Sequence, residues 1–388
     1  MRLTVCAALA LLAGPAFGGT YYVSPDGTAE NDGSSGRPWP SVEFALARVG
    51  GGQVIVLKPG FYRGPILIGR QYSGTKDAPT VIRSERKWKA VVGGSPTHGV
   101  YTEGCDWVVI DGLEVFGALV DGIKVQGNDS VVRNCWVHNN TSMGIAIHGR
   151  KRWTIENNLI EFNGQHIQFQ HGIYADGEDW VVRNNVVRHN AGYGIQLYPS
   201  CRNGRAENNL VYGHARKGGI ILACPPGGGR NVIANNTIAD NAYGIEIWNG
   251  KGEVVVNNII AGPSPFLAGQ HSVDLLVDYN LCRAPCSLPG EHNMVADAGF
   301  LNAGRGFYYL LKDSPAIGRG SEKSAPETDF WGRRREPGAA PDLGALAFSP
   351  LLLLEPARYT ESDPRNGGWA YHFTRSLPDM WAFPEQPR

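Results

Sequence analysis

The 388-residue chain has no net charge, since 36 Lys and Arg residues offset 36 Asp and Glu. A nucleic-acid reader needs surplus cations to neutralise phosphates, so that class is excluded. Charged residues are few, at 19%, while hydrophobic residues reach 42%. A disordered chain would show the opposite balance. No stretch approaches the roughly 18 uninterrupted apolar residues that a membrane-crossing helix needs; the run at 351–354 holds only four. Paired cysteine clusters are missing too. Cys282 and Cys286 are the one closely spaced pair, and without a second pair a zinc site is excluded.

The opening segment, 1–18, reads as a secretory signal. Arg2 is the positive start, 5–13 is an apolar run too short to span a bilayer, and Ala16-Phe17-Gly18 supplies small residues for cleavage after Gly18. The expected mature protein is soluble and secreted or periplasmic. Cys6 leaves with the signal, and the other six cysteines enter a compartment where disulfides form. The spacing suggests Cys201–Cys224 as one candidate bridge and Cys282–Cys286 as another.

Glycine is abundant, with 51 residues, about twice the ordinary share. Length alone would suggest two or three domains, but a repeat overrides that prior. Valine- and isoleucine-rich strands end in Asn pairs at 157–158, 184–185, 208–209, 235–236 and 257–258, with Asn134-Cys135 and Asp111-Gly112 in the same frame. The first members therefore fall at 111, 134, 157, 184, 208, 235 and 257, a period of roughly 22–27 residues, in the range of solenoid repeats. Cys201 and Cys224 are one such period apart. A second mark runs in phase, a Gly-Ile strand whose isoleucines are 123, 145, 173, 195, 220 and 245. Trp107, Trp153 and Trp180 each stand shortly before the Asn or Asp mark.

One turn of this length holds about three short strands, and no turn can bury its own apolar face, so turns must stack. Stacked Asn side chains can bond one another at a tight corner, where Asn and Gly also tolerate a left-handed backbone. Leucine-rich repeats need LxxLxLxxN spacing, which is absent. A helical solenoid needs apolar spacing of three to four, and Gly and Asn would break its helices.

These Gly-Ile strands and Asn corners resemble the right-handed parallel β-helix repeat proteins of the pectate-lyase-like superfamily. Residues 20–64 resemble the opening segment of secreted β-helix proteins, with 41–49 as a short capping helix. Residues 292–320 and 328–348 resemble their usual closing segment. The expected fold is all-β: a right-handed parallel β-helix within 19–348, with turns of about 22–27 residues, followed by a tail, 349–388, of unknown role. The resemblance implies no single activity, because lyases, hydrolases, epimerases and binders share this architecture. The DPHD motif of mannuronan epimerases is absent. So are the paired aspartates and GHG motif of polygalacturonases, although Gln170-His171-Gly172 is a partial echo, and the Lys and Arg strings of alginate and chondroitin lyases are not recognisable.

Two insertions, 164–170 before one Gly-Ile strand and 223–230 after another, should wall opposite sides of the sheet that these strands form. Alternation then predicts its outward face. One column is Lys124, Ala146, Tyr174, Gln196, Ile221 and Glu246; the next is Gln126, His148, Asp176, Tyr198, Ala223 and Trp248. Aromatic faces flanked by polar groups suit sugar rings, so the expected partner is a polysaccharide or oligosaccharide bound by a monomer. For β-elimination on a uronic-acid polymer, Lys124 or calcium would neutralise the carboxylate. His148 or His171 would be the base and Tyr174 the acid, with Asp176 among the catalytic candidates. Gln196, Tyr198, Glu246 and Trp248 would bind substrate. A glycoside hydrolase would instead need a carboxylate pair such as Asp176 with Glu246 or Asp121, and a non-enzymatic carbohydrate-binding surface remains open. His171 also reads as a corner residue bonding the backbone. His166, His171 and Asp176, or the acidic run Asp176, Glu178 and Asp179, are metal-capable but read first as structural or solvated residues, and Asp26, Asn31 and Asp32 likewise read first as turn residues.

Overall fold

The structure is a computed structural model describing residues 18–269, 271–283 and 288–349. The expected signal region and tail lie outside these residues except for Gly18 and Ser349. Three short parallel strands make each turn, and within the three stacked sheets each inner strand pairs with its counterparts one turn earlier and later; Phe300–Asn302 and Phe307–Leu310 form a separate antiparallel pair. About ten turns of about 24 residues stack in this way. The first sheet runs from Thr20–Val23 to Leu276–Asp278, the second from Gly60–Arg63 to Met294–Val295, and the third from Ile66–Gly69 to Phe266–Ala268. The Gly-Ile strands are members of the third sheet.

The inward residues of the third sheet stack in register: Val100 on Ile123, Ile145, Ile173, Ile195, Ile220 and Ile245. All are fully buried, as expected for β-branched residues on a pleated surface facing a dry core. Trp153 and Trp180 stack inside the coil, with ring centroids 5.8 Å apart.

The Asn pairs divide their labour. The first member takes the left-handed backbone, with φ of 57° at Asn157, 55° at Asn184 and 52° at Asn235. The second forms a buried ladder in which Asn158 Nδ2 donates to Asn185 Oδ1, Asn185 to Asn209, Asn209 to Asn236, and Asn236 to Asn258, all at 2.9–3.0 Å. A second ladder, at the corner entering the third sheet, is not apparent from the pairs. It runs through Asn140, Asn163, Asn190, His214 and Asn241.

The capping helix is Val42–Val49. Ser41 Oγ accepts from Phe44 N at 3.2 Å. Gly50, at φ 75°, ends the helix, and Val42, Ala45 and Leu46 are buried. At the other end the chain folds back along the coil. Asn208 Nδ2 donates to Thr328 O at 2.8 Å, Asn235 Nδ2 to Asp342 O at 3.0 Å, and Tyr308 Oη to Asp240 Oδ2 at 3.0 Å. Tyr308, Phe330 and Leu346 bury Leu159, Val186 and Leu210, outward residues of the second sheet. The closing segment thus covers the second sheet and leaves the face of the third free of it.

Cys201 and Cys224 are free thiols, a correction to the spacing argument. Leu197 pairs with Leu222, so Cys224 stands level with Pro199, two residues short of Cys201. Asn231 fills the offset, donating from Nδ2 to Cys201 O at 2.9 Å and to Cys224 Sγ at 3.7 Å. Cys282 is disulfide-bonded; its expected partner, Cys286, lies outside the described residues.

Candidate active site

The outward column of the third sheet has the predicted register, Lys124 to Ala146, Tyr174, Gln196, Ile221 and Glu246. The two insertions lie at opposite strand ends, 164–170 before Ile173–Glu178 and 223–230 after Gly218–Ala223. Between Lys124 and Tyr174, Ala146 is fully buried, so the longer side chains on either side close over it. His148 and Tyr174 meet here, with ring centroids 5.0 Å apart.

Two irregularities single out this part of the sheet. Strand Ile145–Lys151 places His148 and Gly149 opposite the single residue Asp176. On the other side, Ile195–Arg202 places Tyr198, Pro199 and Ser200 opposite it. Bulges of this kind re-aim side chains and are frequent beside active sites. Gly149, at φ 59°, supplies the turn, and its N–H donates to Asp176 Oδ1. The bulge also brings in a cation that alternation does not predict, Arg150, whose charge acts on His148, Tyr101 and Asp176.

Lys124 is anchored rather than free. Its Nζ lies 3.8 Å from Asp121 Oδ2, and the nearly buried Asp121 also meets His98 Nδ1 at 3.3 Å and accepts from Met143 N at 3.1 Å. Burial lowers the pKa of His148, and the Lys124 charge adds to that shift. Burial raises the Tyr174 phenol, reinforced by Asp176, and burial raises Asp176 itself. At neutral pH this combination favours an unprotonated imidazole beside a protonated phenol.

His171 occupies the corner. It is 1% exposed, its Nδ1 accepts from Tyr193 N at 3.0 Å, and burial pushes its imidazole down to about 3. Its ring stacks on Tyr174 at 6.0 Å, so it supports that residue from behind. Glu246 is also nearly buried; its Oε1 accepts from Tyr193 Oη at 2.8 Å, and Lys217 Nζ lies 5.1 Å from the Tyr193 ring centroid. Tyr198 and Trp248 meet edge to face at 6.4 Å, with Trp248 44% exposed. Gln196 Oε1 is buried without a hydrogen-bond partner among the described residues.

The acidic groups do not converge. Asp176 and Glu246 stand three strands apart, about 14 Å at the usual strand spacing, beyond the roughly 5–9.5 Å between the carboxylates of a glycosidase. Glu178 pairs with Lys151 at 2.9 Å, and Asp179 accepts from Asn203 Nδ2 at 3.3 Å. Asp32 binds Ser34 N at 2.9 Å, while Asn31 Nδ2 donates to Pro38 O at 2.8 Å. Among the described residues no three His, Cys, Asp or Glu side chains form a group able to hold a metal ion. The acidic run does not fit calcium, which takes six to eight oxygen ligands.

Residues 21–177 match the family described as Pel9A-like, right handed beta helix region, and residues 171–264 match the one described as right handed beta helix region. The chain is 32% identical over 142 residues to pectate lyase L of Dickeya dadantii (strain 3937), an overlap of 33% of each chain. It is 30% identical over 135 residues to pectate lyase L of Thermoclostridium stercorarium, covering 34% of this chain and 11% of that protein. The chain thus spans about a third or less of the length of these relatives. Pectate lyase Pel9A superposes with a TM-score of 0.58 at 20% identity, covering 86% of this chain and 97% of that one, a likeness of fold. The chain is a right-handed parallel β-helix protein that is similar, over part of its length, to pectate lyases.

Proposed function

We propose that the protein is a polysaccharide lyase that cleaves a uronic-acid-containing polymer by β-elimination. The observation that carries this reading is the meeting of His148 and Tyr174, 5.0 Å apart, beside Lys124 on the open face of the third sheet. In this reading His148 takes the proton from the carbon beside the substrate carboxylate. The released electron pair forms the carbon–carbon double bond as the glycosidic C–O bond breaks, and Tyr174 Oη protonates the departing oxygen. Lys124, held by Asp121, stabilises the negative charge that builds on the carboxylate. His171 and Asp176 position Tyr174 and the His148 bulge, while Gln196, Tyr198 and Trp248 line further subsites; Glu246 acts from behind through Tyr193.

The pectate lyase relatives support this reaction class, although the overlap is partial. The disulfide at Cys282 supports an exported location, in keeping with the signal pattern of residues 1–18. Of the hydrolase alternatives, the Asp176–Glu246 pair stands too far apart for glycosidase carboxylates. Incubation with polyuronates, monitored for an unsaturated product, tests the proposal.

A further inference from the structure

Resting on the lyase reading, one requirement remains to be placed: the group that holds the substrate carboxylate. We infer that Arg150, with Lys124, is the carboxylate receptor, and that the site engages a uronate without calcium. Arg133, Arg152, Arg183, Arg188 and Arg205 of the coil each hold a carboxylate at 2.6–2.9 Å. Arg150 has no such partner among the described residues, and its Nε is buried without a hydrogen bond. A buried donor left unpaired is costly. A planar carboxylate against the guanidinium fork supplies the missing acceptor with charge-assisted geometry.

The backbone fixes where this fork stands. Arg150 pairs with Gly177 immediately beyond the bulge. Gly177 has φ 126°, and a Cβ there would lie 1.8 Å from Arg150 O, so only glycine lets these strands meet. The Arg150 charge acts on His148 and Asp176, which flank the bulge, and on Tyr101, level with Lys124 on the outward face, so its guanidinium stands at the end of this groove. The neighbouring acids are already engaged. Asp121 is held by Lys124, His98 and Met143 N, and Asp176 by Gly149 N. Two cations without a converging acidic set suit an anionic ligand directly, whereas a calcium bridge would need several free oxygens.

The test is calorimetry of the full chain with galacturonate, mannuronate and guluronate oligomers, in EDTA and in calcium chloride, and with the carboxyl-reduced oligomers. At least one uronate oligomer is expected to bind, with affinities in EDTA and calcium within about twofold. Arg150→Gln should weaken that binding at least tenfold, Arg150→Lys less, and Lys124→Gln should also weaken it. Affinity for the carboxyl-reduced oligomer should be the same in Arg150→Gln as in wild type, and unchanged unfolding midpoints would show that the variants fold. Loss of binding in EDTA, wild-type affinity in Arg150→Gln, or binding to none of the oligomers would overturn the inference. Binding without elimination contradicts the lyase reading but leaves the receptor standing. Elimination by Arg150→Gln at wild-type KM does the reverse.

Discussion

His214 Nδ1 lies 2.8 Å from Asn241 Oδ1, in a ladder position that Asn fills in the turns on either side. On its other side, Asn190 Nδ2 donates to His214 Nε2 at 3.3 Å. One tautomer satisfies both contacts, the neutral ring with its proton on Nδ1. A second proton would set Nε2–H against the Asn190 amide donor. Full burial pushes the His214 imidazole down to about 3.

The sign of the resulting pH dependence is definite. Between about 3 in the folded chain and about 6.5 in the unfolded one, the unfolded state binds the extra proton. Stability from this residue is complete above about 6.5 and declines as pH falls toward 3, with about 2 kcal/mol lost by pH 5. His171, also near 3, acts in the same direction. His214→Asn should continue the ladder and remove about half of this acid sensitivity. Urea unfolding at pH 7.5 and pH 5 checks it; an equally acid-sensitive variant would refute it.

The two members of one Asn pair should respond differently. Asn185 accepts from Asn158 N and Nδ2 at 3.0 Å each and donates to Ile155 O at 2.9 Å. Asn185→Ala strands these buried groups, each costing about 1–3 kcal/mol, so a total loss of at least about 3 kcal/mol is expected. Asn184 contributes mainly its φ of 55°, and its Oδ1 has no hydrogen-bond partner among the described residues. Asn184→Gly should change stability by no more than about 1 kcal/mol. Denaturant midpoints compare the two; equal losses would contradict the division of labour.

The repeat was legible because its marks are local. An Asn pair announces both a left-handed corner and a ladder, and Gly-Ile strands declare their inward face by alternation. The second ladder was harder to see, because its members are single residues and His214 interrupts the run of Asn. Arg150 could not be read at all. Alternation stops at the bulge beside Asp176, and a bulge depends on the register of neighbouring turns. The same limit explains Cys201 and Cys224, whose spacing suits one turn but whose strands are offset by two residues. The closing segment's cover over the second sheet joins residues far apart in the chain, such as Asn208 and Thr328, beyond any local pattern.

The proposed base predicts its own pH profile. Because burial and Lys124 lower His148, the acid limb of kcat/KM should have its midpoint below about 6.5, the ordinary imidazole value. Rate falls there as the base becomes protonated. His148→Ala and Tyr174→Phe should each lower kcat by about 10²–10⁴-fold with little change in unfolding midpoint. His171→Ala should instead show a clear loss of stability, since Tyr193 N loses its acceptor. An unchanged acid limb in His148→Ala would remove it as the base.

The aromatic end of the groove should act on binding. Trp248 is 44% exposed, and Trp248→Ala should raise KM while leaving kcat within about twofold, the pattern of an interaction made equally in ground and transition states. A fall in kcat with KM unchanged would place Trp248 in the chemistry instead.

The most direct measurement is ultraviolet absorbance during incubation of the protein with polygalacturonate, alginate and other polyuronates, with calcium and with EDTA. β-Elimination leaves a double bond conjugated to a carboxylate at each new non-reducing end, so absorbance should rise on at least one polymer and should fail to rise with Tyr174→Phe. New reducing ends without absorbance would indicate hydrolysis, and binding without cleavage would indicate a carbohydrate-binding protein; either result would contradict the lyase account.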